Sequence, residues 1–265
     1  MKVCVLGASG CIGMEVVASL LGRGYDQDRK DIHVVGVVRN GSKLSAGMER
    51  RGLLPPANKR LKIREGDVFA TGEGFLEDVM KGCDVVLNCA SPALSWNPFS
   101  TVNRNWGSPV SDLTCKIISV ASNNAPNTTQ SSTNGPRIIA FSGPEYFDEY
   151  DPRENISSLF RCASWLSQWL YPALRDNAVE VRSLLNSGYP RWTVFRCGST
   201  RPNEGSTKTG DATKIGSDLH HDGSDYGQDR GYSLRAADLG AFVADSIVHG
   251  KHEIKEMPFV WNTRL

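Results

Sequence analysis

The chain has 265 residues, with 30 basic and 29 acidic side chains and a net charge of +1. That length fills one α/β domain, and the charge balance argues against a partner held by bulk electrostatics, such as nucleic acid or an anionic membrane. No apolar run approaches the roughly 20 residues of a membrane span, and the N-terminus enters a strand at once without a secretion signal, so the expected setting is cytoplasmic.

The seven cysteines form no C-x-x-C pair, and most stand in apolar, strand-like or helix-like surroundings. Free thiols in a reducing compartment fit this pattern better than disulfides or zinc.

The chain opens on a short apolar run, Val3 to Leu6, followed by Gly7-Ala8-Ser9-Gly10-Cys11-Ile12-Gly13 and an amphipathic segment ending near Leu21. The order is strand, tight turn, helix. Gly7 and Gly10 permit torsions and a close approach that a side chain would block. The first N–H groups of the helix face the turn, and the helix dipole favours a phosphate there. Gly13 lets the helix lie close to the strand. The spacing in this context predicts a dinucleotide site that includes Ser9, Cys11 and Ile12. A helix N-terminus lowers a thiol's pKa, but a small residue that fits the turn is the simpler reading of Cys11.

Ile32 to Val38 is a β-branched second strand, and it ends at Arg39-Asn40-Gly41-Ser42-Lys43. At this place in a dinucleotide fold an acid accepts the ribose hydroxyl, whereas an arginine accommodates a 2′-phosphate. Arg39, with Asn40 and Lys43 beside it, predicts NADP(H); a solvated basic loop is the bland alternative. Ser45 to Lys59 is polar and reads as a weak helix and a loop. Leu61 to Arg64 is a third strand running into Glu65-Gly66-Asp67-Val68. Asp67 and Val68 are placed to meet the adenine, although a helix-capping aspartate reads equally well. A short helix, Phe75 to Met80, leads to an almost wholly apolar fourth strand, Asp84 to Ala90, as parallel strands covered on both faces require. Cys89, Ala90 and Ser91 are small and leave room for a cofactor at its end.

An aromatic and proline-rich loop spans Leu94 to Trp106, and Val110 to Ala121 keep helical spacing. Asn123 to Pro136 is a low-complexity polar loop. Arg137 to Phe141 is a fifth strand ending in Ser142-Gly143. The segment 144–170 reads as an aromatic insertion over the substrate. Pro172 opens a helix to Asn186, and Arg191 to Gly198, containing Cys197, is a sixth strand. Residues 199–232 are rich in Gly, Asp, Ser and Thr and are expected to form a small cap. Ala236 to Val248 is the last helix, and Met257 to Trp261 a late strand. Strands alternating with helices predict an α/β fold with a doubly wound parallel sheet and one domain over residues 1–265.

Gly7 to Gly13, Val37-Val38-Arg39-Asn40, Gly66-Asp67-Val68, Cys83-Asp84-Val85-Val86, Trp192 to Arg196 and Ser233 to Gly240 together resemble the atypical and extended short-chain dehydrogenase/reductases, particularly NmrA-like and flavin-reductase-like NAD(P)-binding proteins. The resemblance covers most of residues 1–200 and the last helix. It implies a Rossmann-like fold, with a serine at the end of the fifth strand and a Tyr-x-x-x-Lys on the following helix. Ser142 matches the first. The chain has no Tyr-x-x-x-Lys; Tyr171 to Arg175 stands nearest to it, and Arg175 supplies charge without carrying a proton. Tyr146 and Tyr150 are further candidate acids.

The expectation is therefore an NADPH-dependent reductase that transfers hydride to a small organic acceptor, aromatic, iminium, quinone or carbonyl-type. An NADP(H) sensor without turnover and an NAD(P)-retaining epimerase or lyase are the alternatives. Adjacent His220 and His221 do not make a metal site, no hydrolase G-x-S-x-G occurs, and the expectation for assembly is compatible with a homodimer.

Overall fold

In the computed structural model, the described residues are 1–22, 32–53, 59–92, 107–123, 135–143, 158–197, 200–201, 215–218, 230–231, 234–251 and 255–263. The strands among them are β1 (Lys2–Leu6), β2 (His33–Val38), β3 (Leu61–Glu65), β4 (Val85–Asn88), β5 (Arg137–Ser142), β6 (Trp192–Cys197), β7 (Thr200–Arg201), β8 (Ile215–Asp218), β9 (Arg230–Gly231), β10 (Leu234–Arg235) and β11 (Phe259–Thr263). The helices are α1 (Cys11–Gly22), α2 (Gly41–Glu49), α3 (Glu73–Met80), α4 (Pro109–Asn123), α5 (Ser158–Leu170), α6 (Pro172–Asn186) and α7 (Ala236–Val248).

The main sheet runs β3-β2-β1-β4-β5-β6-β11-β8. Every pairing from β3 to β11 is parallel, and β8 and β9 add to β11 antiparallel. Strand order reverses between β1 and β4. In a doubly wound sheet the ligand crevice lies there, outside the carboxyl ends of the strands.

Alternation along each strand explains why helices cover both faces. Cys4, Leu6, Val35, Val37 and Val86 point to one side, against Leu76, Ile117, Val181 and Leu184 of α3, α4 and α6. Val3, Val5, Val34 and Leu87 point to the other, against Val16, Leu20, Leu44, Leu239 and Val243 of α1, α2 and α7. Each such aliphatic side chain contributes about 1.5–3 kcal/mol on burial, which outweighs the low helix propensity of the valines. The parallel, doubly wound sheet and its helical layers are as the residue pattern predicts.

Two stretches add detail to the sequence reading. The second helix begins at Gly41, immediately after β2, because Asn40 caps it: Asn40 Oδ1 accepts the N–H of Ser42 at 2.9 Å. The weak helix expected after Ser45 is thus the continuation of a capped one. The described parts of the 199–232 segment pair as strands, β8 and β9 with β11 and β7 with β10. Main-chain pairing asks for no aliphatic side chains, so a polar segment can extend a sheet. The loops 94–106 and 124–134 lie outside the described residues.

Candidate functional site

The glycine turn joins β1 to α1 at the point where strand order reverses. Gly7 has φ of 75°, a conformation glycine adopts without cost. A Cβ on Gly7 would sit 2.7 Å from Ala90 Cα and from the Cys89 carbonyl oxygen, so the turn is pressed against the exit of β4. The N–H groups of Gly7 and Ala8 both donate to Val37 O, at 3.0 and 3.1 Å, which ties the turn to β2. A Cβ on Gly13 would fall 2.5 Å from Gly7 O; this glycine lets α1 cross close over the turn. Among the described residues no protein acceptor takes the N–H groups of Ser9, Cys11, Ile12 and Gly13. Four donors at a helix N-terminus form a cradle for an anion, and the missing Cβ atoms leave the backbone open to approach.

Cys11 lies on the exposed side of this turn. Its thiol is raised, by partial burial first and then by Glu15, with Lys43 pulling the other way. Burial and Glu15 together favour the protonated thiol. The Cys89 and Cys197 thiols are pushed well up by burial and stay protonated.

At the end of β2, Arg39, Asn40 and Lys43 are exposed and close in sequence to the α2 N-terminus. Parallel pairing sets Val38 opposite Glu65, and the Glu65 carboxylate accepts the N–H of Gly41 at 2.7 Å. The first donors of α2 are thus taken by Asn40 and Glu65. A phosphate at this end would be met by the side chains of Arg39 and Lys43 rather than by the helix N-terminus. Asp67 shapes the turn after β3: its Oδ1 accepts from Phe69 N at 3.1 Å, and its carbonyl from Ala70 and Thr71. The Asp67 carboxylate thus closes a local turn, while the N-cap of α3 is Gly72. Val68 is packed in the core with Leu76 and Val79. Ala90 is buried, and Ser91 is exposed with its hydroxyl on Pro92 O.

Ser142 ends β5 and is buried, paired with Arg196, and its hydroxyl makes no hydrogen bond to the described residues. Tyr171 is the N-cap of α6 with Pro172 in the first turn. The helix returns the chain to the start of β6, so its own start lies at the carboxyl edge of the sheet, the edge shared by Gly7 and Ser142. Tyr171 is half-buried there, and Arg175 is exposed. Tyr146 and Tyr150 fall outside the described residues. Among the described residues no group of His, Cys, Asp and Glu is arranged to hold a metal.

Four polar residues behind the site escaped the sequence reading. Asp176 on α6 accepts the N–H groups of Val110 and Ser111, at 2.9 and 3.0 Å, and so caps α4. Glu180, one turn on, accepts from Asn88 Nδ2 and Thr114 Oγ1. The signal was present: two acids four residues apart stand on the apolar side of an amphipathic helix, alongside Ala173, Val181 and Leu184.

Comparison with known proteins agrees with this geometry. The NAD(P)H-binding family matches residues 7–249, and the chain belongs to that family. Tetraketide alpha-pyrone reductase 1 of Arabidopsis thaliana is 35% identical over 96 residues, which is 35% of this chain and only 26% of that protein. Gre2 of Candida albicans in complex with NADPH superposes with a TM-score of 0.62 at 15% identity, over 100% of this chain and 79% of that one. A short-chain type dehydrogenase/reductase from Mycobacterium ulcerans gives 0.56 at 16% identity, over 91% and 81%. These solved structures share the Rossmann-like fold, as the resemblance of the motifs to the short-chain dehydrogenase/reductases implies. No described helix is long and apolar enough to cross a membrane.

Proposed function

We propose that the chain is an NADPH-dependent reductase of small organic acceptors bearing a flat aromatic, iminium, quinone or carbonyl-type group. The observation that carries this reading is the open donor cradle at Gly7–Gly13, with Arg39 and Lys43 exposed at the end of β2. The cradle would hold the pyrophosphate through the N–H groups of Ser9, Cys11, Ile12 and Gly13, with Gly10 leaving the backbone open to its approach. Arg39, Asn40 and Lys43 would take the 2′-phosphate, Asp67 and Val68 the adenine end, and Cys89, Ala90, Ser91 and Cys197 the floor. The alpha-pyrone reductase among the relatives and the NADPH bound to Gre2 support the same chemistry.

When bound, the reduced nicotinamide supplies a hydride. The chain's own part is to position the acceptor, exclude water and manage a proton. Ser142 offers a hydroxyl that no described residue engages at the carboxyl end of β5, and Tyr171 starts α6 at the same edge; Tyr146 is a second candidate acid. Arg175 contributes positive charge and cannot exchange a proton. An iminium or other cationic acceptor takes hydride without a proton at the accepting carbon, which suits a site lacking the tyrosine–lysine pair. On α5, just before Tyr171, Trp165 and Trp169 are each 69% exposed and share a face with Leu166. Such faces favour flat or cationic substrates.

Titration of NADPH and NADH into the wild type and Arg39→Ala tests the cofactor preference. NADPH binds more tightly to the wild type, and the variant loses roughly tenfold or more of that affinity while NADH binding stays level. Equal affinity of the wild type for both overturns the preference. A second reading, an NADP(H) sensor without turnover, is favoured by one observation: arginine replaces the proton-carrying lysine, and it is exposed.

A further inference from the structure

Glu180 lies in the middle of α6 and is 2% exposed. Its Oε1 accepts from Asn88 Nδ2 at 2.9 Å and from Thr114 Oγ1 at 2.6 Å, and Asn88 Nδ2 also reaches Thr114 Oγ1 at 3.0 Å. Asn88 is the last residue of β4. Its Oδ1 accepts the N–H of Ala90 at 3.2 Å, two residues on. The backbone at Cys89 and Ala90 is the surface against which Gly7 is pressed. A continuous path of contacts therefore runs from α6, through the Asn88 amide, to the glycine turn. A glutamine would accept both hydrogen bonds without bringing an ionisable group into the core, so it isolates what the carboxyl adds.

We propose that Glu180 is a positioning residue of the dinucleotide site, holding the β4 exit against the glycine turn through Asn88, and that its proton is linked to cofactor binding. The proposal rests on the reading that the dinucleotide lies on the glycine turn; it needs neither NADP preference nor turnover. Burial pushes the carboxyl up to about 8, against the opposing pull of its two hydrogen bonds, so the group is neutral at pH 7. Asp176, one turn earlier on α6, raises it further. From the β4 exit it faces the Cys89 thiol, itself pushed well up and so uncharged, and from α4 the Thr114 hydroxyl. Above this range ionisation puts a negative charge behind the floor of an anion site. The bound pyrophosphate and the carboxylate then disfavour each other, and by reciprocity cofactor binding drives a proton onto Glu180.

The test is NADPH affinity by calorimetry from pH 7 to 9.5, in the full-length wild type and Glu180→Gln. Wild-type binding weakens by roughly tenfold across this range, the scale of an ordinary coupling between two sites. Glu180→Gln binds like the wild type at pH 7 and keeps its affinity at high pH. Titrations of the wild type near pH 8, in buffers of different ionisation enthalpy, show uptake of a fraction of a proton on binding. Glu180→Ala, which leaves Asn88 and Thr114 without their acceptor, binds more weakly at every pH. A wild-type affinity flat with pH, or a Glu180→Gln variant with the wild-type slope, overturns the proposal, as does binding without proton uptake. Absence of any dinucleotide binding at pH 7 overturns the reading of the turn as well, which separates the two failures.

Discussion

Gly7→Ala is the sharpest test of how the turn is built. The methyl group would force alanine to φ of 75°, at a cost of about 1–2 kcal/mol for an L-residue in the left-handed region. It would also stand 2.7 Å from Ala90 Cα and the Cys89 carbonyl oxygen, both backbone atoms at the exit of a strand paired with β1 and β5. Neither can swing away as a side-chain end could, and overpacking of this kind adds about 1–3 kcal/mol. The sum is about 3 kcal/mol, which for a domain of this size lowers the melting temperature by roughly 6–10 °C. The β4 exit shifts with it, so dinucleotide affinity falls at least about tenfold, the loss expected from misplacing a preformed anion cradle. Circular dichroism melting and a nucleotide titration read both effects. Gly74→Ala on α3 is the matched control: nothing lies within 4 Å of a Cβ there, and the added methyl raises stability by about 0.5–1 kcal/mol. A Gly7→Ala protein that melts within about 2 °C of the wild type and binds nucleotide equally well refutes the reasoning.

Other outcomes follow from the same geometry. Asp176→Ala strips the cap from two buried N–H groups of α4 and lowers stability by about 2–3 kcal/mol in urea unfolding, while Asp176→Asn, which keeps an acceptor, loses less. Glu180 is raised in the folded protein to about 8, so between its unfolded value of roughly 4.3 and that figure the folded state holds a proton the unfolded state has lost. Its contribution is therefore present at low pH and lost as pH rises through this window; melting temperatures from pH 5 to 9 fall in the wild type relative to Glu180→Gln. Glu65→Gln removes a negative charge that the β2–β3 register sets at the end of β2, and keeps the acceptor for Gly41 N–H, so the ratio of NADPH to NADH affinity rises several-fold in paired titrations.

The parallel sheet could be read from the chain because each strand carries its own signal. Val34 to Val38 and Val85 to Leu87 are apolar throughout, as burial on both faces demands, and glycines or caps punctuate the helices between them. The glycine turn was equally legible, since its chemistry is local and needs only backbone. The network at Asn88, Thr114, Asp176 and Glu180 was not, because its partners lie 26 to 92 residues apart and meet only when α4, α6 and β4 pack. Asp67 showed the limit of residue type: one aspartate after a strand can cap a helix or meet a base, and only the folded chain brings Phe69 N to its carboxylate. Glu65 was passed over for a similar reason, as its importance comes from the register that sets it beside Val38.

Hydride transfer itself decides the central claim. NADPH deuterated at the transferable C4 position is incubated with the protein and a panel of iminium, quinone, flavin and aromatic carbonyl acceptors, and products are read by mass spectrometry. The account predicts deuterium in at least one product, with the rate falling in Ser142→Ala or Tyr171→Phe. Tight NADPH binding with no deuterium in any product, across the panel, contradicts it and leaves the sensor reading in its place.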